Sequence, residues 1–113
     1  MTEITFYQTE TGDIIGFRSE GHSGYADQGE DIVCAAISAL VINTINSINE
    51  LTEDEMDVDI DEDEGYIDAS FFDAPGKEAQ LLLKSLALGL TNMEDDEAVT
   101  EFIDVIFEEV RTC

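Results

Sequence analysis

The sequence predicts a single α+β domain over residues 1–113, in the order ββαββαβ, with two helices packed on a mainly antiparallel or mixed sheet. Three observations lead there. Two pairs of short β-prone runs are each joined by a glycine-bearing turn, and two longer segments carry helical patterning. The third is size and make-up: 113 residues, 43% of them hydrophobic, with one Pro and no low-complexity tract, suit one hydrophobic core.

Ile4 to Thr9 and Asp13 to Glu20 read as the first two strands, a hairpin turning through Glu10-Thr11-Gly12. Gly21 to Gly29, with three glycines and no periodicity, reads as a loop too long for a tight turn, and long loops in compact domains are often functional. From Ile32 to Leu51 the pattern is helical and, as far as Ile42, apolar on nearly every side. Asp31 is the N-cap candidate, and Asn43, Asn46, Ser47 and Asn49 open a polar face further on. Met56 to Asp61 alternates with period two and pairs with Tyr66 to Phe72, with Met56, Val58 and Ile60 on one face and carboxylates on the other. Pro75-Gly76 ends that hairpin and Lys77 to Met93 forms the second helix, although Gly89 weakens its last turn. Glu101 to Val110 fits either period, and its β-branched and aromatic residues favour a strand.

Charge is the dominant global feature: 28 Asp plus Glu against 4 Lys plus Arg, a formal net charge of −24. Nucleic acid is a poor direct partner, because phosphate binding relies on Lys and Arg releasing counterions. A basic protein would be drawn in by the same field, and an acidic surface that serves solubility alone fits the count equally well. The N-terminus lacks a basic region and an apolar run, and the Ile32 to Ile42 stretch is too short to span a bilayer, so a cytoplasmic location without membrane contact is expected. Cys34 and Cys113 are too few and too far apart for a disulfide framework, which points to a reducing compartment; Cys113 reads as an exposed, redox-labile end.

Asp59, Asp61 and Asp63 have the spacing that opens an EF-hand loop, but Glu64 stands where that loop needs Gly and Ser70 where it needs Glu. A solvated strand face accounts for them. One His and two distant Cys do not make a structural zinc set, so neither metal nor cofactor is expected.

His22 and Cys34 remain. The histidine stands in Gly21-His22-Ser23-Gly24, where missing side chains let a backbone or ligand approach. If Asp31 caps the helix, Cys34 falls in its first turn, near the positive end of the dipole, which favours the thiolate nucleophile and offers free N–H groups to an oxyanion. A neutral His22 within reach would take the thiol proton and later return one to the leaving amine. Ser38, one turn beyond Cys34, could bond near the sulfur, while Asp31 could either cap the helix or orient His22. The plainer alternative is a buried core Cys and a solvated loop His, in an acidic background that opposes thiolate formation.

Gly21-His22-Ser23-Gly24-Tyr25-Ala26, followed by Gly29-Glu30-Asp31-Ile32-Val33-Cys34-Ala35-Ala36-Ile37-Ser38, resembles the ribosomal-processing cysteine protease family called Prp, and the likeness extends over essentially the whole chain. The resemblance implies a cysteine endopeptidase that removes a short N-terminal extension from a large-subunit bacterial ribosomal protein, cutting after an aromatic residue. It further implies Cys34 as nucleophile, His22 as proton donor and acceptor, Gly21, Asp31 and Ser38 as supporting residues, and a homodimer. A basic ribosomal protein precursor would suit the −24 charge. The rival function is a non-catalytic acidic module that binds a basic ribosomal protein or an assembly factor.

Overall fold

The computed structural model describes residues 1–21, 28–61 and 65–110. His22, most of the glycine-rich loop, the turn through Glu64, and Cys113 lie outside the described residues. The strands are β1 (Thr2–Gln8), β2 (Ile14–Glu20), β3 (Met56–Asp61), β4 (Tyr66–Phe71) and β5 (Ile103–Glu109). The helices are α1 (Gln28–Leu51) and α2 (Lys77–Asp95), and a 3₁₀ turn at Thr100–Phe102 leads into β5. The expected ββαββαβ order and mixed sheet are therefore present. The last strand starts at Ile103, later than expected, because Glu101 and Phe102 belong to the 3₁₀ turn.

One five-stranded sheet runs β3-β4-β2-β1-β5. Both hairpins are antiparallel, β2 pairs antiparallel with β4, and β1 pairs parallel with β5. Gly12 and Gly65, at φ 88° and 72°, supply the left-handed backbone that the two turns need. Along β1 the alternation buries Thr2, Ile4 and Phe6 on one face. Ile4 and Phe6 join Ile14, Phe17, Ala69 and Ile103 of the sheet, Val33, Ile37, Val41 and Ile48 of α1, and Ala79, Leu83, Leu86, Ala87 and Leu90 of α2 in one core. In β3, Met56 and Val58 are half-buried and Asp57 and Asp59 exposed, as alternation requires, but Ile60 is 52% exposed.

A helix start at Gln28 corrects the expected cap at Asp31, which is instead inside α1. The opening turn, Gln28-Gly29-Glu30-Asp31, is polar, so apolar periodicity could not reveal it. The apolar character of α1 also continues past Ile42: Ile32–Leu51 is long and apolar enough, by length and composition, to cross a membrane. Its stripe of Val33, Ile37, Val41, Thr44 and Ile48 is nevertheless buried in the core.

Strict alternation cannot place both Ile14 and Phe17 inward, since they are an odd number of residues apart. Pairing Tyr7 with Gly16 and Gln8 with Ile14 leaves Ile15 as an extra residue, a β-bulge that turns both side chains into the core. The buried Gln80 of α2 clamps this bulge: its Oε1 accepts from the Ile14 N–H at 3.0 Å and its Nε2 donates to the Ile14 carbonyl at 2.5 Å. Gln80→Leu fills similar space but leaves a buried donor and acceptor unpaired. It is expected to cost about 2–4 kcal/mol in urea unfolding; a loss below about 0.5 kcal/mol would mean that water or the ladder replaces the clamp.

Candidate active site

Helical geometry sets where Cys34 points. Val33, Ile37 and Val41 are the buried row of α1, so the next residue at each step, in the row Cys34, Ser38 and Ile42, lies along the flank of that stripe. This flank forms one wall of a groove of about 290 Å³. Thr2, Ser19 and Gly21, at the ends of β1 and β2, form a second wall, and Ile60, Asp61, Gly65, Tyr66 and Ile67 of the β3–β4 hairpin form the third. Cys34 is a free, half-buried thiol. Three of the five site residues expected from sequence, Gly21, Cys34 and Ser38, therefore line one groove. Asp31 is placed on the same helix as Cys34, and His22 follows directly on Gly21 but lies outside the described residues.

The start of α1 at Gln28 changes the expected chemistry at the thiol. Cys34 lies nearly two turns into the helix. Its own N–H is within the helical ladder and is not one of the four free donors of a helix terminus. The free N–H groups expected beside Cys34 therefore belong to an earlier turn of α1, beginning at Gln28. Among the described residues, the side chain bonded to the sulfur is Thr2, with its Oγ1 3.2 Å from Sγ. Ser38, proposed from sequence for that contact, is exposed and lines the groove instead.

Sequence reasoning missed Thr2, which is 4% exposed. Its partner is 32 residues away, and the β-prone pattern begins only at Ile4. The available signal was the alternation: carrying the Ile4 and Phe6 face one step back puts a hydroxyl on an inward face, where it needs a partner.

Gly21 has a steric role. The Glu3 to Glu20 pairing, continued by one residue, sets Thr2 opposite Gly21, while the Gly21 N–H donates to the Gly65 carbonyl at 3.1 Å. A Cβ built on Gly21 would fall 2.6 Å from the Thr2 Cα, 2.7 Å from the Met1 carbonyl oxygen and 2.9 Å from the Thr2 hydroxyl. Two of these neighbours are backbone and cannot swing aside.

Beside the groove, carboxylates of the sheet are engaged by Arg18 of β2 and by Tyr66. Arg18 bridges to Asp68 at 3.4 Å and Glu20 at 3.5 Å, and its guanidinium lies 4.7 Å from the centre of the Tyr66 ring. Tyr66 donates its hydroxyl to Asp59 at 3.1 Å. That bond, followed by the charge of Asp59, holds the phenol above its ordinary titration range, so it stays protonated at neutral pH. Asp57 and Asp59 are strand residues in β3, in keeping with a solvated face in place of a calcium loop.

The family described as Cysteine protease Prp matches residues 1–102. A ribosomal processing cysteine protease Prp of Bacillus subtilis is 32% identical over 100 residues, covering 85% of this chain and 89% of its own length. Its counterpart in Staphylococcus aureus is 28% identical over 96 residues, covering 85% and 91%. The crystal structure of an essential ribosomal processing protease Prp from S. aureus, in complex with a substrate peptide, is similar at a TM-score of 0.88, with 26% identity and coverage of 96% of this chain and 100% of that one. SMU.848 from Streptococcus mutans is similar at 0.85, with 28% identity and coverage of 97% and 99%.

Gly21→Ala forces the first residues of β1 away from the groove. It is expected to lower stability by about 1–3 kcal/mol, as overpacking does, and to slow alkylation of Cys34. A urea midpoint and an alkylation rate both equal to wild type would show that the strand ends yield without cost.

Proposed function

The chain belongs to the Cysteine protease Prp family and is a cysteine protease, and from that premise we propose that it removes the N-terminal extension of a bacterial large-subunit ribosomal protein through a Cys34–His22 dyad. The observation that carries this reading is a half-buried free thiol on the wall of an open groove of about 290 Å³, with the residue preceding His22 on the adjoining wall. His22 takes the thiol proton, and the Cys34 thiolate adds to the scissile carbonyl carbon. Collapse of the tetrahedral species breaks the C–N bond as His22 returns the proton to the leaving amine. Water, deprotonated by His22, then cleaves the thioester and restores the thiol.

Two features support the choice of substrate. Ile37, Ile42, Ile60 and Ile67 give the groove apolar surface suited to an aromatic side chain at the cut. The net charge of −24 attracts a basic precursor over long range, an effect on encounter rate that salt screens. Asp31 and Ser38 act as supporting residues, and the enzyme works in the cytoplasm.

An exposed row of α1, running beside α2 at Leu40, supports a homodimer. Ile32 is 65% exposed and Leu40 38%, with Ala36 exposed between them, an apolar strip continuous along one helix face. Sedimentation at micromolar concentration is expected to give a dimer that Leu40→Glu dissociates; a monomer at every concentration would exclude it.

The enzymatic test is incubation of the reduced protein with a peptide spanning the extension of the ribosomal protein from the same cell, with products read by mass. One cut is expected, after an aromatic residue, lost at least about 10³-fold in Cys34→Ser and in His22→Ala, with kcat/KM falling as salt rises. Tight binding of the intact precursor without cleavage would instead support an acidic binding module.

A further inference from the structure

Thr2 carries a hydroxyl on the strand face whose next two residues in β1 are apolar. It shares the inward face of β1 with Ile4 and Phe6, and all three are buried. A hydroxyl there costs stability unless it is hydrogen-bonded, and the partner it has is the Cys34 sulfur at 3.2 Å. The hydroxyl is also held in place. Thr2 pairs with Ile103 of β5 on one side and faces Gly21 on the other, and a β-branched residue has a stiff χ1. The Cys34 side chain is unbranched and turns more freely.

We propose that Thr2 is a positioning residue for the nucleophile: its hydroxyl holds the Cys34 sulfur toward the groove and donates the hydrogen bond that the thiolate needs, and the glycine at position 21 lets the backbone of Met1 and Thr2 come close enough to set that hydroxyl in place. This rests on the reading of Cys34 as the nucleophile. In the thiol form either partner can donate. Once the proton has gone to the base, the sulfur has none to give, so the Thr2 O–H becomes the donor of a charge-assisted bond. The Cys34 N–H is within the helical ladder, which makes a side-chain donor from the sheet the more valuable.

The decisive comparison is made in full-length protein carrying Cys113→Ser, which leaves Cys34 as its remaining cysteine. Thr2→Val keeps the shape and removes the hydroxyl, Thr2→Ser keeps the hydroxyl, and Thr2→Ala is a smaller variant without it. Iodoacetamide alkylation of Cys34 at neutral pH, read by mass, is measured together with kcat and KM for the extension peptide, in variants whose urea midpoints confirm folding. Thr2→Val and Thr2→Ala are expected to lower the alkylation rate and kcat about tenfold, in the range of a hydrogen bond to a charged group, with KM within about twofold of wild type, while Thr2→Ser retains half or more of both rates. Alkylation of Thr2→Val at the wild-type rate would overturn the proposal, as would a Thr2→Ser variant as slow as Thr2→Val. Thr2-dependent alkylation in a protein that cuts no peptide would uphold the role of Thr2 and overturn the proposed substrate.

Discussion

The site depends on how α1 is seated against the sheet. Burying Val33, Ile37, Val41, Thr44 and Ile48 fixes the rotation of the helix about its axis, because among the described residues of α1 these are the buried ones. With that rotation set, Cys34, Ser38 and Ile42 necessarily occupy the flank and face the groove. The contribution is both energetic and geometric, since each fully buried Val or Ile is worth about 1.5–3 kcal/mol. A thiol on a surface loop would have no such constraint on its direction.

The opposing wall is built by backbone pairing. β1 sits between β2 and β5, which places its first residue near the mouth of the groove and sets Thr2 opposite Gly21. Gly21 is tied on its other side to Gly65, so the chain reaches residue 22 from a position held by three strands. The bulge at Ile15 and its Gln80 clamp secure the far end of the same hairpin to α2. The ends of two interior strands and the flank of α1 thus meet at the thiol, an arrangement that fixes its position before substrate arrives.

Charge and contact act at different ranges in this molecule. The net charge of −24 favours encounter with a basic polypeptide over long range, an attraction that salt screens. Arg18 is engaged with Asp68, Glu20 and the Tyr66 ring. At the sulfur itself the contact is short, the Thr2 hydroxyl at 3.2 Å.

By itself the sequence determined the order of elements and the residues carrying the family motif, because period-two and helical patterns are local and the turns carry their own glycines. Gly21, Cys34 and Ser38 were legible for the same reason: they belong to two short, glycine-flanked segments. It misplaced the start of α1, since a polar opening turn shows no apolar period, and so gave Cys34 free amide neighbours that it lacks. It overlooked Thr2 and had no physical account of Gly21, because both depend on β1 lying beside β2 and under α1. Only the tertiary structure decided those contacts, as strand register and helix rotation are settled by burial of the whole core and not by any neighbouring residue.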